Sequence, residues 1–241
     1  MKEGENMNET IRSNEDLLDM LDSLLREPTG FWNEFYSNRE KVIPFFVNKP
    51  DENLVGYFND GIMNSGKVLE IGSGPGRNAI YFAEKGCHVD AIDLSEQSIQ
   101  WAIERAKERG LEVNFIQNNI FKVSIEEGTY DIVYDSGCFH HIAPHRRNNY
   151  IRLILQALKP GGYFSITCFV EGGELGGSAI TDWEVYRKRS LNGGLGFTKE
   201  KLRTIFTDFE EIEIRLMKNA SNDDEVFGVS ALWTGLFRKK Y

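Results

Sequence analysis

One run constrains this chain more than any other: Lys67-Val-Leu-Glu-Ile-Gly-Ser-Gly-Pro-Gly-Arg77, continuing without a break as Asn78-Ala-Ile-Tyr-Phe-Ala-Glu-Lys-Gly86. Val68, Leu69 and Ile71 read as a short buried strand, and Ala79, Ile80 and Ala83 fall on one face of a helix. Between them Gly72, Gly74 and Gly76 make a turn, so the run folds as strand, glycine turn and helix start. Glycines let a backbone bend tightly and a ligand approach it closely, while the free N–H groups of a helix start favour oxygen-rich or anionic groups. A bound ligand is therefore expected here. The dinucleotide fingerprint is G-x-G-x-x-G, whereas here the third glycine follows two residues after the second, with Pro75 between, which disfavours a nicotinamide cofactor.

The remainder of the chain narrows the ligand class. With 241 residues the chain can bury one full core, and 28 basic against 37 acidic side chains leave a net charge of −9. Such a charge repels phosphate backbones, so a small-molecule substrate is expected and nucleic acid is not. No run approaches the roughly 18 consecutive apolar residues of a membrane helix. Residues 1–16 also lack a signal-type apolar core, so a cytoplasmic protein without membrane contact is expected. Cys87, Cys138 and Cys168 form no C-x-x-C pair and suggest neither a disulfide framework nor a metal site.

Read in order, Leu17, Leu18, Leu21, Leu24 and Leu25 repeat at helical spacing behind a Ser13/Asn14 cap. In Gly30-Phe-Trp-Asn-Glu-Phe-Tyr36, the pairs Phe31/Phe35 and Trp32/Tyr36 mark an aromatic helix that either packs on the core or caps a ligand. His88-Val-Asp-Ala-Ile-Asp93 alternates as a second strand, and a helix beginning near Ser95 runs to Gly110. A third strand, Glu112–Gln117, leads into Asn118-Asn119-Ile120-Phe121, and Tyr130–Asp135 is a fourth. Pro144 opens a helix whose positive end carries Arg146 and Arg147, where cations are disfavoured. Those arginines are either solvated or receive an anionic group of the substrate. After a fifth strand to Phe169, a glycine-rich stretch over 171–197 is either a surface insertion or a mobile lid. A capped helix from Phe197 and two closing strands, Glu210–Met217 and Phe227–Phe237, finish the chain.

Three motifs together carry a resemblance. Glu70-Ile-Gly-Ser-Gly-Pro-Gly76 resembles the acid-x-G-x-G-x-G motif of class I S-adenosylmethionine (SAM)-dependent methyltransferases. Leu158-Lys-Pro-Gly-Gly162 before a strand is frequent in them. Asp135-Ser-Gly-Cys-Phe-His-His-Ile-Ala-Pro-His-Arg-Arg147 looks like the fourth motif of a bacterial small-molecule group akin to thiol and thiopurine methyltransferases. The resemblance covers most of residues 30–240. It implies a Rossmann-like α/β fold: a seven-stranded, mostly parallel sheet with helices on both faces and an antiparallel last strand. It also implies a cap segment at 1–50, a SAM-binding domain at 51–241 and a lid at 171–197.

The same resemblance implies residues for SAM and its product S-adenosylhomocysteine. They are Trp32, Tyr36, Glu70, Gly72, Ser73, Gly74, Gly76, Arg77, Asp93, Leu94, Asn118, Asn119, Ile120, Asp135 and Ser136. Asp93 is expected to accept the ribose hydroxyls, its other reading being a plain helix cap. Asn119 stands where relatives commonly have Asp and offers a carbonyl to the adenine amino group. His140 or His141 is expected as a base and Tyr186 beside the acceptor, with Arg146, Arg147, Asp182 and Trp183 binding the acceptor. The expected activity is methyl transfer to a small molecule, a thiol or another anion-forming nucleophile, by a monomer or homodimer without metal. The alternative is a SAM-binding regulatory or partner protein without turnover.

Overall fold

The structure is a computed structural model that describes residues 10–241. Residues 1–9, on which part of the signal-segment reading falls, lie outside the described residues. Strand β1 (Lys67–Ile71) leads through the glycine turn into helix α4 (Arg77–Glu84). Ahead of it come α1 (Asn14–Ser23), α2 (Pro28–Ser37) and α3 (Glu52–Asn59). After it follow β2 (His88–Asp93), α5 (Glu96–Glu108), β3 (Asn114–Gln117), β4 (Tyr130–Ser136) and α6 (Arg147–Ala157). The chain ends with β5 (Leu158–Phe169), α7 (Asp182–Lys188), α8 (Lys199–Ile205), β6 (Phe209–Leu216) and β7 (Leu232–Lys239).

The strands form one seven-stranded sheet in the order β3-β2-β1-β4-β5-β7-β6. The first five are parallel, and β7 runs antiparallel to both β5 and β6. Side chains alternate across it: Val68, Ala91, Ile132 and Tyr134 pack with Leu54, Tyr57 and Phe82, while Leu69, Ile71, Val133 and Phe164 pack with Tyr150, Leu202 and Phe206 on the other face. A parallel sheet covered on both faces explains why β1, after Lys67, reads as continuously apolar apart from Glu70. The strand order reverses between β1 and β4, where Ile71 pairs with Asp135. The glycine turn and the loop after β4 therefore leave the sheet side by side, at the switch point where ligands of open α/β sheets bind.

Local differences from the sequence reading have physical causes. The turn from Pro144 to Arg146 is 3₁₀, so the α-helix begins only at Arg147. The final strand starts at Leu232 instead of Phe227, because Phe227 binds backbone-to-backbone with Pro50 and Glu52 and belongs to the packing of α3. Helix α3 carries too little sequence periodicity over its eight residues to be singled out beforehand.

Candidate functional site

Gly72, Gly74 and Gly76 have φ of +66°, +52° and +76°, a left-handed backbone that disfavours any side chain. The protein also crowds them. A Cβ on Gly72 would stand 2.5 Å from the Cys138 side chain, one on Gly76 2.9 Å from Ala102, and one on Gly74 3.1 Å from the Tyr36 hydroxyl. Gly76 thus permits packing of the turn against α5, and a side chain there would meet protein instead of ligand. Asp93 ties the turn to β2: its two oxygens accept the backbone N–H groups of Gly74 and Ser95, each at 2.8 Å. The cap of α5 is Ser95, whose hydroxyl accepts from the Ser98 N–H, so Asp93 is not a plain helix cap. Burial pushes the Asp93 carboxyl up despite these donors, and a carboxylate with about four acceptor sites keeps capacity for two more.

Behind the turn lies a buried polar network that sequence reading missed. Asp51 pairs with Arg77 at 2.5 Å and accepts from the Tyr134 hydroxyl at 2.8 Å. Arg77 also donates to Ser136 Oγ at 2.9 Å and to the Lys49 carbonyl at 3.2 Å. Asp135 accepts from the Cys138 N–H at 2.8 Å and the Tyr150 hydroxyl at 2.6 Å, yet burial pushes it up to about 6. Arg77, Asp135 and Ser136, expected on the cofactor, instead tie α4 and β4 to the start of α3 and β4 to α6, and do not border the cavity described next. Glu70 differs. It is buried, its Oε2 has no protein partner, and burial holds its pKa well above the usual range. Ser73 Oγ beside it is likewise unpartnered.

A cavity of about 580 Å³ opens at the switch point. It is bordered by Gly72, Asp93, Leu94, Asn118, Asn119 and Ile120 on the β2 side and by Gly137, Cys138 and His141 on the β4 side, with Trp32 and Tyr36 from α2 and Ser190, Leu191 and Gly193 from the segment after α7. Eight of the expected cofactor residues meet there; Glu70 and the turn residues Ser73, Gly74 and Gly76 do not border it. Asn119 Oδ1 accepts the Phe121 N–H at 2.9 Å, which closes its own loop and leaves one lone pair for a ligand. Trp32 stacks with Tyr36 at 6.0 Å and meets His141 edge-on at 4.8 Å. His141 faces the cavity, and burial pushes its imidazole down to about 4. His140 is 4% exposed, stacks on Phe169 at 3.6 Å with Nδ1 unpartnered, and is pushed down further.

Of the other acceptor-side candidates Arg146 borders the cavity, whereas Tyr186, Trp183, Asp182 and Arg147 do not. The Tyr186 hydroxyl binds the His145 N–H at 2.9 Å and His145 Nδ1 at 2.8 Å, away from the cavity, and Trp183 is 77% exposed. Arg146 is neither solvated nor free for substrate. Its guanidinium is buried against Glu15, Asp19 and Asp22 of α1 at 2.6–2.8 Å. Arg147 pairs with Asp182 at 2.6 Å. The anions that relieve these cations at the positive end of α6 come from the chain itself. Glu15, Asp19 and Asp22 share one helical face, a ladder legible in sequence, but its partner was not.

The donor set suits a nucleoside with an ammonium and a sulfonium: a carboxylate with spare acceptors at Asp93, two asparagines, aromatic faces that attract cations, and the unpartnered Glu70 oxygen beside the turn. Comparison with known proteins agrees. A methyltransferase-domain family matches residues 68–162. An uncharacterized methyltransferase of Schizosaccharomyces pombe is 31% identical over 124 residues, 52% of this chain and 83% of that protein. A 2-heptyl-1-hydroxyquinolin-4(1H)-one methyltransferase of Mycobacteroides abscessus is 30% identical over 127 residues, 52% of this chain and 56% of that one. In fold, the chain is similar to a Burkholderia thailandensis 1,6-didemethyltoxoflavin-N1-methyltransferase solved with S-adenosylhomocysteine. Its TM-score is 0.64 at 20% identity, over 97% of this chain and 93% of that one. The chain belongs to the class I methyltransferases, whose cofactor is S-adenosylmethionine.

Proposed function

We propose that this protein transfers a methyl group to a small-molecule nucleophile bound between His141 and the 189–193 segment, beneath α2. The observation that carries this reading is the single cavity in which the glycine turn, Asp93 and the asparagines meet His141 and the aromatic faces of Trp32 and Tyr36. In this reading Asp93 holds the ribose hydroxyls, Asn118, Asn119 and Ile120 the base, and Glu70 with Ser73 the amino group through the turn. S-adenosylmethionine, when bound, supplies an electrophilic methyl group on a sulfonium cation. The chain's part is to orient the acceptor and exclude water, which accelerates the meeting of a nucleophile with a cation. Residues 14–37 act as the cap and 171–197 as the lid of the 51–241 domain.

His141, held near 4, carries no proton at neutral pH, so it orients an acceptor through a hydrogen bond and stores no charge. An acceptor that ionises by itself, such as a thiol or an acidic hydroxyl or ring N–H, fits that environment. The relatives named above act on small molecules, a hydroxyquinolinone and a didemethyltoxoflavin, which supports a small acceptor. The test is SAM binding by calorimetry followed by S-adenosylhomocysteine release across thiols, phenols, hydroxylated heterocycles and amines. Binding without release from any acceptor class would favour a regulatory SAM-binding protein.

A further inference from the structure

Helix α1 has no fully buried side chain, and the carboxylates it offers stay largely accessible: Glu15 60%, Asp19 66% and Asp22 46% exposed. Beyond the half-buried Leu18 and Leu21, its polar contacts centre on one cation. Arg146, only 6% exposed in its side chain, donates Nε and Nη2 to Asp22 at 2.8 and 2.6 Å, Nη1 to Glu15 at 2.6 Å and Nη2 to Asp19 at 2.7 Å. Its neighbour bridges two mobile candidates. The His145 imidazole meets Tyr186 of α7 at Nδ1 and Asp22 of α1 at Nε2, each at 2.8 Å. The Tyr186 oxygen accepts the His145 N–H at 2.9 Å, so its own hydrogen is free to go to Nδ1 and leaves Nε2–H to donate to Asp22. The imidazole thus completes a directed chain from α7 through His145 to α1. Arg147 adds a second link to α7 through Asp182. Both Asp22 and Arg146 border the cavity.

We propose that His145 and Arg146 are positioning residues forming one clasp, which couples the cap helix α1 to the lid helix α7 and sets how fast S-adenosylhomocysteine leaves the cavity. Cap and lid then open together. Half-exposed ion pairs weaken as salt shortens the screening length from about 8 Å at 0.15 M to about 3 Å at 1 M, so opening rises with ionic strength. The release-rate half of the inference rests on the cofactor reading; the coupling half does not.

The test is hydrogen exchange of the full ligand-free chain, read by mass spectrometry over 14–26 and 182–188, together with the dissociation rate of S-adenosylhomocysteine. Arg146→Gln is expected to speed exchange over 14–26, and product release with it, about tenfold, the size expected for losing several half-exposed ion pairs. Tyr186→Phe is the decisive variant, because Tyr186 does not touch α1. It should speed exchange over 14–26 as well as over 182–188. Should Arg146→Gln fail to fold, Glu15→Gln with Asp19→Asn, on exposed α1 carboxylates, replaces it and should behave alike. Raised salt should speed exchange over 14–26 in the unaltered chain and have little further effect in the variants. If Tyr186→Phe loosens only 182–188, the coupling is wrong. If S-adenosylhomocysteine leaves a loosened variant at the original rate, the clasp does not gate release. If the unaltered chain binds no S-adenosylhomocysteine, the cofactor reading fails and the exchange result alone still decides the coupling.

Discussion

Each oxygen of Asp93 already accepts one backbone N–H, from Gly74 and from Ser95, so the acid that borders the cavity also shapes the glycine turn. Replacing it should affect both. Asp93→Ala is expected to weaken SAM about ten- to a hundredfold, and to cost roughly 1–3 kcal/mol of stability because two buried N–H groups lose their acceptor. Calorimetry and denaturant unfolding on one sample check this, and unchanged unfolding would remove the structural half. His141 yields a pH prediction. Its imidazole is pushed from the ordinary 6.5 down to about 4 in the folded chain, so between those values the unfolded state binds more protons and stability falls as pH falls. Asp135, pushed up to about 6, works in the opposite direction, gaining stability as pH falls towards its unfolded value. The difference between the parent and His141→Asn cancels the Asp135 contribution. The parent should lose up to about 3 kcal/mol relative to His141→Asn from pH 6.5 to 4, at 1.36 kcal/mol per pH unit, and a flat difference would mean the imidazole is not desolvated.

At the scale of elements, the two N-terminal helices differ in how they are held. Helix α1 rests on charge, whereas α2 buries Tyr36 against Phe46 and the glycine turn, and its Asn33 accepts from the Ser95 hydroxyl at 2.9 Å. Cap and core therefore cannot be separated at residue 36. A chain beginning at Glu27 should melt within a few degrees of the parent, since it loses half-exposed ion pairs worth under about 1 kcal/mol each. One beginning at Ser37 should lose roughly 3–5 kcal/mol, the cost of emptying a packed aromatic site. Thermal melts of the two truncations decide it; equal melts would show that α2 is as dispensable as α1. The glycine turn follows the same logic, because Gly76→Val drives a side chain into Ala102 and Phe115 and is expected to act on folding before it acts on binding.

For the molecule as a whole, the sheet order places β1 and β4 at the reversal, and the cavity is where their two loops diverge. Because no imidazole in it holds a proton at neutral pH, kcat/KM for an identified acceptor should rise with pH along that acceptor's own ionisation. The profile should keep its midpoint in His141→Asn, within about 0.3 units. A midpoint that moves with the variant would make His141 the base after all. The sequence by itself determined the parallel sheet, the glycine turn and most of the cavity's β2 side. Buried strand runs, left-handed glycines and an acid closing a strand are local patterns that single out Asp93, whereas Asn118, Asn119 and Ile120 come from the resemblance to the methyltransferase motifs. Only the tertiary structure decided the partners of charged groups. Asp51 with Arg77, Asp135 with Tyr150, Asp22 with Arg146 and Asp182 with Arg147 lie 15 to 124 positions apart. Whether such a cation meets a ligand or the chain's own carboxylate depends on which distant segment folds across it. Arg146 and Arg147 read as awaiting an anion for sound electrostatic reasons, and the fold supplied that anion from α1 and α7.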